Sequence, residues 1–359
     1  MPRPTGGVSI ETARRHCASE LRALGFDVRE RAFEFSALPG RFATPLFGGA
    51  AAILVGLAGR WGFAGARTAP LVLLVAGSLL LFLAGRWLAR RGVLAAPVMR
   101  ERGVNLEATR GGTAGPPPTI WLCAHLDTKS QPVPTLVRSA GVTLEVLGVL
   151  MMTVTALAAA LGAAPQRFFW VHAAVVTLLG ALPVVLSTVG QRSPGAFDNA
   201  SGVATMLAAA AELGVHQGVG VLLTDAEELG LAGARAWSDG HGKGGVVVLN
   251  CDGVDDTGRI VVMFAGARPD RLLDAVANAS RASGVAHEPT RMIPGILTDS
   301  VAFADAGLSS VTFSRGTWRS LARVHSRRDD LAHLSGTGIA ETATLIAATV
   351  RELDRGETR

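Results

Sequence analysis

The chain has no tyrosine and only three cysteines among its 359 residues, and 18% of its side chains are charged. Without tyrosine, no phenol can serve as acid, base or oxyanion donor. Cys17, Cys123 and Cys251 are an odd set with no framework spacing, which excludes a disulfide scaffold and suits a reducing compartment. There is no internal repeat and no low-complexity tail. Residues 1–40 are polar and rich in arginine, so no cleavable signal peptide is expected.

The shortage of charge is uneven. Four stretches, 42–59, 68–85, 146–166 and 168–191, hold no Asp, Glu, Lys or Arg. A bilayer-spanning helix needs about 20 mostly apolar residues, and buried helices of that length normally keep a polar face. The stretches are therefore expected to be transmembrane helices. They pair into two hairpins, one turning at Arg60–Arg67 and the other at Pro165-Gln166-Arg167. Arg41, Arg86, Arg90, Arg91, Arg100, Arg102, Lys129, Arg138 and Arg192 flank the hairpins, against Arg60, Arg67 and Arg167 in the turns. The positive-inside bias then predicts a multi-pass membrane protein with both termini and the polar part in the cytoplasm. The net charge of +5 gathers beside the apolar runs, so anionic lipid rather than nucleic acid is the expected partner.

The remainder reads as one discontinuous α/β domain. Residues 9–25 have helical spacing and DVRERAFEF alternates as a strand. After a glycine- and proline-rich turn at 111–118 come the buried strands TIWLCAHLD, VGVLLTD, GGVVVLNCD and RIVVMFAG. Helices are expected at SGVATMLAAAAELG, PDRLLDAVANASRASG and GTGIAETATLIAATVREL. Apolar strands alternating with helices predict a mostly parallel central sheet flanked by helices, with its chemistry at the strands' carboxyl ends. Polar residues gather at those ends. Bounds of 1–41, 92–138 and 193–359 follow for the polar domain, with transmembrane hairpins at 42–91 and 139–192.

Two adjacent glutamates, Glu227 and Glu228, end one strand, and such a pair calls for a cation or a shared proton. His125, Asp198, Glu228, Asp252 and His325 are of the residue types that bind zinc. Were Asp198 to bridge two metals, His125 and Asp252 would complete one set, and Glu228 and His325 the other. Glu227 would stay free to take a proton from a metal-bridged hydroxide's parent water. Each residue has another use when taken singly. Asp198-Asn199 could cap a helix, Asp252-Gly253 could be a turn, Glu227-Glu228 could be solvated charges at a helix start, and His325 could lie in a surface loop.

AHLD, GAFDNASGVA, TDAEELGLAGARAW, LNCD, TDSVAF and HSRRDD resemble, in order and spacing, the zinc-dependent exopeptidases that include bacterial leucyl aminopeptidases, glutamate carboxypeptidase and glutaminyl cyclase. The resemblance implies a zinc exopeptidase fold with two zinc ions per chain, held by His125, Asp198, Glu228, Asp252 and His325. It implies that Glu227 is the catalytic base and that Asp127 orients His125. Asp299 could shape the substrate pocket or cap a helix, and Arg315 could meet a substrate carboxylate or serve the fold. The implied activity is that of a membrane-anchored aminopeptidase acting on peptide or protein N-termini. The rivals are a single-zinc cyclase-like acyltransferase, which HLDTK favours, and a catalytically silent membrane scaffold. Lacking tyrosine, the chain departs from relatives that support the oxyanion with a phenol.

Overall fold

The structure, a computed structural model, describes residues 1–110, 117–216, 218–241, 245–293 and 295–357. Most of the turn expected at 111–118 lies outside the described residues. In chain order the helices are α1 (Val8–Ala23), α2 (Leu38–Phe63), α3 (Ala69–Trp87), α4 (Val93–Ala95), α5 (Thr135–Ala160), α6 (Arg167–Val185), α7 (Gly202–Glu212), α8 (Ala232–Asp239), α9 (Asp270–Ser283), α10 (Asp299–Asp305), α11 (Trp318–Arg323) and α12 (Thr337–Glu357). The strands are β1 (Asp27–Ser36), β2 (Arg100–Thr109), β3 (Ile120–His125), β4 (Val219–Thr224), β5 (Val247–Val254), β6 (Arg259–Phe264), β7 (His287–Arg291) and β8 (Ser309–Gly316). They form two compact units: residues 1–37, 93–130 and 191–359, and residues 38–92 and 131–190.

The first unit is built on an eight-stranded sheet in the order β1-β2-β4-β3-β5-β8-β6-β7. The four central strands β4, β3, β5 and β8 are parallel. β2 runs antiparallel to both β1 and β4, and β6 antiparallel to β8, so the expected mostly parallel sheet is mixed. An apolar run reports burial on two faces but carries no sign of direction, which depends on how the connections return. β3 shows the double burial: Leu122 and Ala124 pack on one face with Leu21, Met206 and Leu249, while Trp121 and Cys123 pack on the other with Trp237 and Phe303. Two apolar faces hold the strand ends firmly, and the polar residues project from there.

The second unit contains α2, α3, α5 and α6. Helical runs Leu38–Phe63, Ala69–Ala95, Thr135–Ala160 and Arg167–Val185 are each long and apolar enough to cross a membrane. α5 begins at Thr135, well before the charge-free stretch at 146, because Arg138 and Glu145 lie inside the helix. A charge breaks a run of hydropathy without breaking the backbone ladder. Leu54, Ala58, Leu74, Met152, Ala156 and Trp170 form this unit's own core. α5 and α6 meet through small residues: a Cβ on Gly148 would lie 2.2 Å from the Thr177 hydroxyl, and one on Gly180 would lie 2.4 Å from the Glu145 amide nitrogen. Leu79, Leu80 and Phe82 of α3 stay more than half exposed, as on a helix that is apolar all round.

Candidate metal centre

Carboxylates and imidazoles converge at the carboxyl ends of the central strands. His125 ends β3, Asp252 lies on β5, and Glu227 and Glu228 follow β4. Asp198 precedes α7, and His325 follows α11 with φ of +61°. Their donor atoms fall into two groups, His125–Glu227–Asp252 and Asp198–Glu228–His325, each within 4.8 Å. Asp198 joins the groups: its Oδ1 lies 3.1 Å from His125 Nε2, and its Oδ2 lies 3.1 Å from His325 Nε2. His125 Nε2 is also 3.6 Å from Asp252 Oδ1 and 4.0 Å from Glu227 Oε2, while His325 Nε2 is 3.2 Å from Glu228 Oε1. Four donors at 2.0–2.2 Å from a tetrahedral zinc are roughly 3.4 Å apart, so most of these spacings suit one ion per group.

The fit to a cation rests on His125. Its Nδ1 lies 3.1 Å from the Asp127 carbonyl, an acceptor, so this nitrogen carries the proton and the neutral ring presents a lone pair at Nε2. Nε2 is buried and has no acceptor along its N–H direction, although Asp198 Oδ1 is close. Burial opposes a charged imidazole here. Glu227, Asp127, Asp198 and Asp252 outweigh it and push His125 well above the usual histidine range. A site that would hold a proton so firmly also suits a metal ion.

Burial raises the Asp198 carboxyl, but the imidazoles of His125 and His325, one facing each of its oxygens, bring it well below the ordinary range. Glu227 moves the other way. Burial, helped by Glu228, Asp252 and Asp299 and opposed by His125, pushes it well above the usual carboxylate value. The paired glutamates thus differ in environment as well as in direction.

The contacts around the donors explain their placement. The Asp127 carboxylate accepts the backbone N–H groups of Glu227 and Glu228, both at 3.0 Å. It therefore fixes the glutamate pair, and its backbone carbonyl, rather than its carboxylate at 3.6 Å, orients His125. Asn199 Oδ1 accepts the Gly202 N–H at 3.0 Å at the start of α7, and its Nδ2 donates to the Cys251 carbonyl at 2.9 Å. A Cβ on Gly202 would lie 2.1 Å from Asn199 Oδ1, so only glycine fits there. Asn199 thus ties the start of α7 to β5, while Asp198 faces the imidazoles.

Three positioning residues carried no assigned role in the sequence. Lys129 Nζ pairs with Glu228 Oε2 at 2.6 Å, leaving Oε1 toward His325. Asp329 accepts the N–H groups of Phe197 at 2.7 Å and Asp198 at 3.1 Å, tying the His325 loop to the Asp198 loop. Arg3 spans two loops: its guanidinium donates to the carbonyls of Leu126 at 2.8 Å, Pro194 at 2.9 Å and Gly195 at 2.9 Å. HLDTK and HSRRDD contained the first two, whereas nothing in its local sequence marks Arg3.

The two residues expected to meet substrate each have a side-chain partner in the first unit. Arg315 pairs with Glu341 of α12 and donates to the Gly258 carbonyl at 3.2 Å, which engages its guanidinium in the fold. Asp299 is 1% exposed, accepts from Thr224 Oγ1 and is approached by Cys123 Sγ at 3.8 Å. Burial pushes its carboxyl up to about 7.

The α/β unit thus gathers carboxylates and imidazoles at its strand ends in two groups that could each hold a metal ion. Residues 182–350 match the model of Peptidase family M28, a stretch containing Asp198, Glu227, Glu228, Asp252 and His325 but not His125. Residues 182–350 thus form a domain that matches peptidase family M28. Its fold is similar to that of an aminopeptidase from Aneurinibacillus sp. strain AM-1, with a TM-score of 0.57 and 14% identity over 98% of this chain and 90% of that one. A zinc aminopeptidase from Bacillus subtilis gives 0.56 and 15% over 98% and 90%. Porphyromonas gingivalis glutaminyl cyclase gives 0.51 and 14% over 99% and 93%. No curated protein sequence matches the chain significantly.

Proposed function

We propose that the chain is a membrane-anchored di-zinc metallopeptidase, an aminopeptidase that removes N-terminal residues from peptides or proteins. The observation that carries this reading is Asp198, whose two oxygens face the two imidazoles at equal distance. His125 and Asp252 would hold one zinc, Glu228 and His325 the other, and Asp198 both. Zinc bound there would supply a water of lowered pKa and an electrophile for the scissile carbonyl. Glu227, held by its amide on Asp127 with its Oε2 4.0 Å from His125 Nε2, is placed to take a proton from the attacking water and return it to the leaving amine. Asp127 holds that carboxylate in place through the Glu227 amide. The four apolar helices support anchoring in a lipid bilayer, and the arginine distribution supports a cytoplasmic catalytic unit.

A second reading has a specific observation behind it. Asp198, Glu228 and His325 alone make a complete set for one ion, which suits a single-zinc acyl transfer of the glutaminyl cyclase kind. The test is zinc content per chain of detergent-purified protein, together with Glu227→Gln. Two zincs, retained in the variant while turnover falls about 10²–10⁴-fold, support the peptidase. One zinc favours the cyclase. No zinc after reconstitution, or full turnover by Glu227→Gln, overturns the proposed mechanism.

A further inference from the structure

The direction of the strands fixes where the chain leaves the first unit. β1 runs antiparallel to β2, and β2 antiparallel to β4, so β1 points the same way as β4, β3, β5 and β8. The chain passes into the apolar helices after Ala37 and after Ser130, just beyond the carboxyl ends of β1 and β3. Both departures therefore start from the sheet end that carries the metal centre. β8 ends there too, at Gly316, and leads into α11 and the His325 loop.

That segment has an unusual surface. Trp318, Leu321 and Leu331 are 74%, 42% and 73% exposed. Arg319, Arg327 and Arg328 are exposed beside them, and their guanidinium groups make no ion pair or hydrogen bond among the described residues. The segment is nevertheless anchored. Asp255 accepts from Ser320 Oγ and from Arg323, both at 2.6 Å, and Thr317 and Ser320 form a capping box. Asp330, the neighbouring acid, is engaged in accepting the Ala332 N–H. A fixed surface offering an indole, two leucines and three free guanidinium groups matches a lipid headgroup layer, where rings and aliphatic stems sink and cations meet phosphate.

We infer that Trp318, Leu321 and Leu331, with Arg319, Arg327 and Arg328, seat on the anionic headgroup layer of the membrane that anchors the chain. An acidic peptide would satisfy the arginines, but it gives no reason for the apolar side chains or for both tethers leaving from this sheet end. The inference rests on the membrane reading above and deepens it. His325 lies within the seated segment, so the seating brings this candidate ligand's loop to the headgroup layer.

The test uses the full chain in nanodiscs of phosphatidylcholine, alone or mixed with phosphatidylglycerol. Trp318→Cys carries an environment-sensitive dye, since the native cysteines are all buried. Leu321→Cys is the second probe, and Leu80→Cys of α3 reports insertion. The expected result is that headgroup spin-labelled lipid quenches the dye at 318 and aqueous iodide does not, with stronger shielding in phosphatidylglycerol. Replacing all three arginines with glutamine should lower the equilibrium constant for seating by about five-fold per residue. Free iodide access at 318 and 321 in both lipids, with the 80 probe quenched by acyl-chain labels, overturns this inference alone. If the 80 probe is not quenched by lipid, the membrane reading itself fails. If the arginine variant weakens cleavage of acidic peptides while 318 stays aqueous, the surface serves substrate and the lipid assignment is overturned.

Discussion

The two units treat buried charge in opposite ways. In the first, Asp127, Asp198, Glu227, Glu228 and Asp252 crowd around two imidazoles, at distances that would be repulsive without a cation. In the second, each of the runs of 26, 27, 26 and 19 residues contains an 18-residue apolar window with at most two charged side chains, and most of each window faces outward. Concentrated carboxylate is tolerable where backbone amides and a metal ion compensate it, and its absence is required where lipid replaces water. Glu145 of α5 is nevertheless buried in the second unit.

The strongest way to break this contrast is to remove the shared carboxylate. Asp198→Ala should abolish both bound zinc and turnover, because both groups lose a donor, yet leave the apolar helices embedded. Elemental analysis beside an alkaline-extraction assay checks this, and two zincs retained would remove Asp198 from the bridge. Next is Arg3→Ala, which cuts the tie between the Leu126 loop and the Pro194–Gly195 loop. Outer contacts of this kind are typically worth 10–100-fold in metal affinity, and a chelator competition titration should show a loss of about that size. Arg3→Lys should not restore it, since an ammonium cannot serve all three carbonyls in a planar fork.

Gly148→Leu acts on the other unit. The new side chain meets Thr177, and overpacking should cost about 1–3 kcal/mol in thermal unfolding of the helices while zinc content stays unchanged. Zinc loss in that variant would mean the units are not energetically separate. The smallest effect is expected for Arg31→Ala, which removes an exposed pair with Glu107 at 3.3 Å. Denaturant unfolding should shift by less than about 1 kcal/mol, and less still at high salt.

Much of this architecture was legible in order. β3, β4, β5 and β6 stand where the apolar runs predict, and the donors stand at strand ends because polar residues there cannot enter either core face. What stayed hidden was relation across the chain. The antiparallel course of β2 and β6 has no local signal. Arg315 reads as a carboxylate binder in FSRGTW, but Glu341 in α12 engages it. Asp127 reads as the partner of His125, whereas its carboxylate is spent on the amides of Glu227 and Glu228, a hundred residues further on.

The sequence by itself determined the kinds of surface: four apolar helical runs, a two-faced buried sheet, and a set of zinc-type donors in a recognisable order. These follow from side-chain hydration and periodicity, which act over a few residues. Only the tertiary structure decided that Asp198 turns one oxygen to each imidazole, that Lys129 occupies the far oxygen of Glu228, and that both departures to the apolar helices share a sheet end with His325. Those are matters of direction between segments far apart in sequence, and direction is set by how the chain packs.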